Sequence, residues 1–197
     1  LQPLISEVES RPDVDGNDLP PVVAIHAGNP GSYPVVTVDQ RLGAKLATEH
    51  LLSLGHKTVW HIAGPGAWYE GVERVVGWRE ALDAAGAEVP PLVHGDWSAA
   101  SGYTAAKELL ANDGVTAIFV GNDSMALGVL HAMHELGLRC PDDVSLVGFD
   151  DYPEAAFFSP ALTTIRQDFD EIGRLSVALL LDLIEKDAPP AQHVVLE

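Results

Sequence analysis

The sequence predicts an α/β fold in which a mainly parallel sheet is covered by helices on both faces, a doubly wound arrangement. Three features carry this reading: β-branched runs alternate with helical patterns from Val22 onward, several runs are apolar on both sides, and glycines end the helical patterns. Candidate strands lie at 22–26, 35–38, 58–63, 92–95, 117–120 and 145–149. The helix at 43–54 sets Leu46, Ala47, Leu51 and Leu54 on one side and stops at Gly55, and a second at 72–85 stops at Gly86. Ser98 caps a third helix from Ala99, and Asp123 and Gly137 bracket a fourth at 124–136. The last begins after Asp168, with Glu171 completing a capping-box-like pair, and buries Ile172, Leu175, Leu179 and Leu183. Strands joined through helices pair in parallel with right-handed crossovers. Residues 1–21, rich in Pro, Asp and Ser, show neither periodicity and read as linker or poorly packed chain. Gly55-His56 and the stretch from Pro160 to Thr164 break the rhythm, and we expect the chain to cross to a second lobe there.

Composition narrows the function. In 197 residues, 29 Asp plus Glu outweigh 11 Lys plus Arg for a net charge of −18, and 47% hydrophobic content rules out a disordered chain. So acidic a surface repels phosphates, so this segment does not itself grip DNA. Cys140 is alone, which excludes an intrachain disulfide and favours a reducing compartment, the cytoplasm. The longest apolar stretch, 175–184, is interrupted by Asp182 and is far shorter than the roughly 20 residues a membrane helix needs, so no membrane span is expected. The chain opens Leu1-Gln2-Pro3, with no basic-then-apolar start that would mark a signal peptide.

In an open parallel sheet, ligands bind beyond the carboxyl ends of the strands, where loops converge and helix N-termini point. Four junctions therefore matter. They carry Gly64-Pro65-Gly66-Ala67-Trp68-Tyr69 with Arg74 about one turn on, Asp96-Trp97-Ser98, Asn122-Asp123, and Asp150-Asp151. Indoles, a guanidinium, an amide and carboxylates on one edge suit a polyol. A carboxylate accepts from two hydroxyls, guanidinium donates through a planar fork, an amide does both, and a flat indole covers the C–H face of a sugar. Taken singly, Asp123 reads as a helix cap, Asp151 as a cap or turn residue, and Trp78 as core, while Trp97 reads equally as core or as binding.

Enzyme signatures fail. Gly64-Pro65-Gly66 opens a dinucleotide fingerprint, but Tyr69 stands where its third glycine belongs, and no phosphate-loop lysine or nucleophile elbow follows. His131 and His134 lack a third metal ligand, and adjacent Asp150 and Asp151 point apart at a strand end. No catalytic residue, cofactor or metal is expected.

From Asp39 onward the chain resembles the effector-binding region of the LacI family of bacterial transcription regulators. The strings that carry the likeness include Val38-Asp39 with Gly43-Ala44, Glu49 to His56, Ile62-Ala63-Gly64-Pro65, Arg74 ahead of Gly77-Trp78, and Gly95 to Ser98 with Ser101-Gly102-Tyr103. They continue with Asn122 to Gly128, Asp142 to Asp151 and Leu162 to Phe169, in order over about 130 residues, although any one string is weakly specific. The resemblance implies a periplasmic-binding-protein-like fold of two similar lobes, with a sugar or related small metabolite bound between them. By motif position it assigns Arg74, Trp97, Asn122 and Asp150 as ligand contacts, Trp68 to a loop that tunes specificity, and Gln167 and Phe169 to a more peripheral part of the cleft.

It also implies a repressor-like homodimer that meets operator DNA through a helix-turn-helix lying outside these residues, with the effector shifting DNA affinity allosterically. On this reading 22–55 and 166–192 are the remnant of an incomplete N-terminal lobe, 56–165 is a complete C-terminal lobe, and 193–197 starts a final strand. Bare sheet edges and uncovered apolar faces should follow, inviting self-association. The rival functions are an extracytoplasmic sugar-binding protein of a transporter, which shares the two-lobed architecture, and an enzyme on the same scaffold.

Overall fold

The computed structural model describes residues 21–25, 33–112, 114–185 and 193–196. The linker expected at 1–21 therefore lies almost wholly outside the described residues. The chain divides into two compact units, one formed by the residues up to Val38 together with Asp168–Leu196, the other by Asp39–Gln167.

The second unit holds a five-stranded, all-parallel sheet built from β3 (Trp60–Ala63), β4 (Val93–His94), β5 (Ala117–Val120), β6 (Ser145–Asp150) and β7 (Thr163–Arg166), in the order β4-β3-β5-β6-β7. Its helices are α1 (Gln40–Ser53), α2 (Tyr69–Ala85), α3 (Ala99–Leu109) and α4 (Asp123–Glu135). Alternation along β5 shows why both faces are covered. Ile118 and Val120 enter a core with Ala105, Leu109, Met125 and Val129 of α3 and α4, whereas Ala117 and Phe119 enter another with Ala44, Leu51, Trp78 and Leu82 of α1 and α2. Trp78 is the core residue its surroundings predicted: it is buried, and its indole N–H donates to the Val59 carbonyl at 2.8 Å. Side chains at Gly102 and Gly128 would collide with the backbone of the facing helix, so glycine here sets how closely α3 and α4 approach.

Three sequence expectations are corrected here. The helix expected at 43–54 starts earlier, at Gln40, because Asp39 caps it by accepting from the Leu42 N–H at 2.8 Å. It also packs within the second unit rather than the first, since Ala44, Ala47 and Leu51 share a core with Trp78 and Phe149. The expected crossings at Gly55-His56 and 160–164 are not where the units part. Thr163–Arg166 is an ordinary strand paired with β6, and the boundaries fall after Val38 and after Gln167.

In the first unit, β1 (Ala24–Ile25), β2 (Val35–Val38) and β8 (His193–Leu196) form a parallel sheet in the order β1-β2-β8. The helix α5 (Phe169–Glu185) covers it through Ile172, Leu175 and Leu179, packed with Val36, Val38, Val194 and Leu196. Its N-terminus is capped as expected by Asp168, which accepts from the Glu171 N–H at 2.9 Å. The Glu171 carboxylate instead pairs with Arg174, so the reciprocal half of the expected box does not form. Val177, Leu181 and Ile184 on the same helix stay exposed.

Candidate functional site

In the second unit β3 is followed in space by β4 on one side and by β5, β6 and β7 on the other, so the sheet changes winding direction between β3 and β5. Such a switch point leaves a crevice outside the carboxyl ends of the flanking strands, because the connections on either side turn to opposite faces. Gly64 follows β3 and Gly121 follows β5. Around them gather residues from every neighbouring junction: Gln40 at the start of α1, Arg74 from the second turn of α2, Trp97 after β4, Asn122 after β5, Asp150 at the end of β6 and Gln167 after β7.

Arg74 is the centre of the cluster and only 4% exposed. Its Nε donates to Gln40 Oε1 at 2.8 Å, one terminal nitrogen donates to the Gly121 carbonyl, and the other faces Asp150 Oδ1 at 3.5 Å. Gln40 Nε2 donates to Gln167 Oε1 at 3.0 Å, and Gln167 Nε2 donates to Asp150 Oδ1 at 2.6 Å, which closes a four-membered ring of side chains. The guanidinium carbon lies 3.8 Å from the Phe149 ring centroid and 5.4 Å from that of Trp97.

Burial pulls Arg74 below its ordinary range while the Asp150 charge opposes that shift. Burial likewise pushes Asp150 from 3.8 up to about 6, against the opposing pull of Arg74 and of the Gln167 hydrogen bond. At neutral pH both remain charged. The 3.5 Å separation is well short of a tight charge-assisted contact, so the pair keeps donor and acceptor capacity for a third party. A buried pair so loosely joined is poor evidence for stabilisation and good evidence for a site.

Backbone strain marks the same place. The three non-glycine residues with positive φ among the described residues are Trp97 (74°), Asp150 (113°) and Asp151 (58°). All sit at this edge, where the surrounding bonds over-determine them. The Trp97 indole lies so close over Gly64 that any Cβ there would collide with it. Asn122 Nδ2 donates to the Trp97 carbonyl at 3.1 Å, and its Oδ1 accepts from the Met125 N–H at 2.8 Å, so Asn122 caps α4. The cap expected at Asp123 is thereby corrected. Asp123 is buried and instead accepts from Thr164 Oγ1 at 2.6 Å and from the Tyr152 N–H at 2.9 Å, tying the strained 150–152 turn to β7.

The structure thus brings together Arg74, Trp97, Asn122, Asp150 and Gln167, with Gln167 central rather than peripheral. Trp68 stands at the N-cap of α2, 43% exposed, and its side chain makes no capping bond. Phe169 belongs to the first unit and is 47% exposed. Asp150 and Asp151 do point apart, Asp150 toward Arg74 and Asp151 toward Arg166 at 3.9 Å. Sequence reasoning missed Gln40, Phe149 and Tyr152, whose phenol engages the Asp150 carboxylate. A strand-end rule applied at Val38 would have found Gln40, because it opens the helix there. Among the described residues no group of three His, Cys, Asp or Glu could hold a metal ion, and no helix is long and apolar enough to cross a membrane.

Residues 48–197, which hold most of this sheet and its switch point, match the periplasmic binding protein-like domain. The chain is 39% identical over 155 residues to the HTH-type transcriptional repressor PurR of Shigella sonnei (strain Ss046), covering 77% of this chain and 46% of that protein. It superposes with a TM-score of 0.81 and 32% identity on a LacI family transcriptional regulator of Enterococcus faecium with bound ribose, covering 89% of this chain and 66% of that one. Against the lac repressor dimer bound to operator and the anti-inducer ONPF, the TM-score is 0.83 at 33% identity, with 98% and 66% covered. The chain belongs to the LacI family of transcriptional regulators. It spans about half the length of the curated relatives it matches, and those are transcriptional repressors.

Proposed function

We propose that this chain is the effector-binding part of a LacI-type regulator, taking a sugar or related small metabolite at the carboxyl edge of its five-stranded sheet and setting operator affinity allosterically. The observation that carries the reading is the buried, loosely joined Arg74–Asp150 pair at the switch point, 3.5 Å apart. A vicinal diol can donate to the carboxylate and accept from the guanidinium at once, with Trp97 beside it to cover a C–H face. Trp68 then serves as an outer aromatic contact, and Asn122 acts chiefly by holding Trp97. Bound ribose in the Enterococcus regulator supports a sugar. The operator-bound lac repressor dimer supports a homodimer that acts on DNA, and so a cytoplasmic one, and the HTH-type repressor of Shigella supports a helix-turn-helix outside these residues as the part that reaches it. Repressor relatives favour this role over that of a transporter's binding protein and over catalysis.

Calorimetric titration of the chain with a panel of pentoses, hexoses and disaccharides tests the reading. At least one sugar should bind, and Asp150→Asn, which keeps shape but loses the anionic acceptor, should weaken it by about tenfold or more. Binding unchanged in Asp150→Asn would overturn the site.

A further inference from the structure

Gln40 lies second and Gln167 last in the unit Asp39–Gln167, so the two ends of that unit are joined by a direct amide–amide hydrogen bond. Both are buried, at 1% and 6% exposure, and each amide is engaged on both its oxygen and its nitrogen. The direction of these bonds is forced. Arginine can only donate, so Gln40 must turn its carbonyl to Arg74 and its NH2 to Gln167; an ionised carboxylate can only accept, so Gln167 must turn its NH2 to Asp150. The result is a polarised chain of amides running from a cation to an anion, with the same sense at every link.

We propose that Gln40 is a positioning residue, and that the Gln40–Gln167 amide pair is a relay that couples the poise of Arg74 and Asp150 to the two points where the chain enters and leaves the unit. The relay rests on the reading of this edge as the ligand site and deepens it. Gln40 touches no open space at the rim. It fixes the plane of the Arg74 guanidinium against Phe149 and holds the Gln167 NH2 on Asp150, so a ligand that draws on Arg74 or Asp150 also changes the bond between the chain ends. By reciprocity, a displacement of either end changes how readily the pair accepts ligand. The groups facing Asp150 are Arg74 of α2, Gln167 after β7, Asp123 of α4 and Tyr152 of the following turn.

The test uses the 197-residue chain and Gln40→Met, which keeps length and volume and removes only the amide. Without Gln40, the Gln167 amide is free to turn away, and the Asp150 carboxyl, followed by carbon-13 NMR with Asp150→Asn for assignment, should titrate about one pH unit higher, the size of one lost bond to a charged group. A merely space-filling Gln40 would lower the melting temperature and leave that titration where it is in wild type, and this outcome overturns the relay. D-ribose and D-galactose titrated into both proteins should bind Gln40→Met about tenfold more weakly. Equal affinity for a sugar that wild type binds also overturns it. If neither sugar binds wild type while the Asp150 titration moves, the relay stands and the choice of ligand is at fault. Should Gln40→Met fail to fold, hydrogen exchange of the Gln167 side-chain amide in wild type decides. Exchange slowed at least about tenfold against free glutamine supports the relay, and exchange at the free rate overturns it.

Discussion

His61 in the interior of β3 and Asp150 at the carboxyl edge of β6 are both buried titratable groups, and they are built in opposite ways. His61 is fully buried, stacks 4.4 Å from the Phe119 ring centroid, and donates through Nδ1 to the Phe119 carbonyl at 2.9 Å, while its Nε2 has no partner. Asp150 is 7% exposed and is addressed by Arg74, Gln167 and Tyr152. One is a polar atom absorbed by an apolar core in its neutral form; the other is a charge kept alive by donors where the sheet opens. Burial alone does not separate a core residue from a site. The number and direction of partners does.

The largest difference should appear on the acid side. Burial holds His61 from an ordinary 6.5 down to about 3, with the nearby Arg74 charge acting in the same sense. The unfolded chain therefore takes up a proton below pH 6.5 that the folded chain refuses until about pH 3, and stability contributed by neutral His61 is lost as pH falls through that window. The shift corresponds to up to about 5 kcal/mol. His61→Leu should flatten this acid limb in urea unfolding curves collected between pH 3 and 7. An equally steep limb in the variant would mean that His61 is not held neutral.

Asp150 should show the opposite slope. Its folded value of about 6 lies above the ordinary 3.8, so stability is fullest below pH 3.8 and declines as pH rises through 6, by up to about 3 kcal/mol. Asp150→Asn cannot ionise and should gain on wild type across that interval. If the two unfolding free energies keep a constant gap from pH 4 to 7, the carboxylate is not desolvated as described. The two groups overlap between pH 4 and 6, so wild-type stability there changes less than either variant reveals.

The same contrast explains what could be read from sequence. The interior was legible because its rules are local. Short runs apolar on both sides placed 117–120 and 145–149 in a two-sided sheet, and Ser98, Gly86 and Gly137 marked helix ends where the structure has them. The edge was legible only in outline. Strand-end reasoning located Arg74, Trp97, Asn122 and Asp150, but the cap at Asn122 rather than Asp123 follows from which side chain β7 can reach, and Thr164 is 41 residues away. Gln40 and Gln167 meet across 127 residues, and no periodicity encodes that pairing. The unit that the helix carrying Gln40 joins is equally non-local: Ala44, Ala47 and Leu51 pack against Trp78 and Phe149, which lie 27 or more residues further along the chain.

Asp123 lies between the two extremes and gives the finest test. It is buried like His61, and burial raises its pKa, but Thr164 Oγ1 at 2.6 Å and the Tyr152 N–H at 2.9 Å oppose that rise as donors do at Asp150. If donors are what keep a buried carboxylate charged, removing one should matter only while it is charged. Thr164→Val, close to isosteric, should cost about 1.5 kcal/mol at pH 7, the lower end for a hydrogen bond to a charged group. The cost should shrink at acid pH, because a protonated Asp123 can donate to a neighbouring carbonyl and asks less of its surroundings. A loss of equal size at pH 4 and pH 7 would assign Thr164 a packing role and would leave Asp123 closer to His61 than to Asp150.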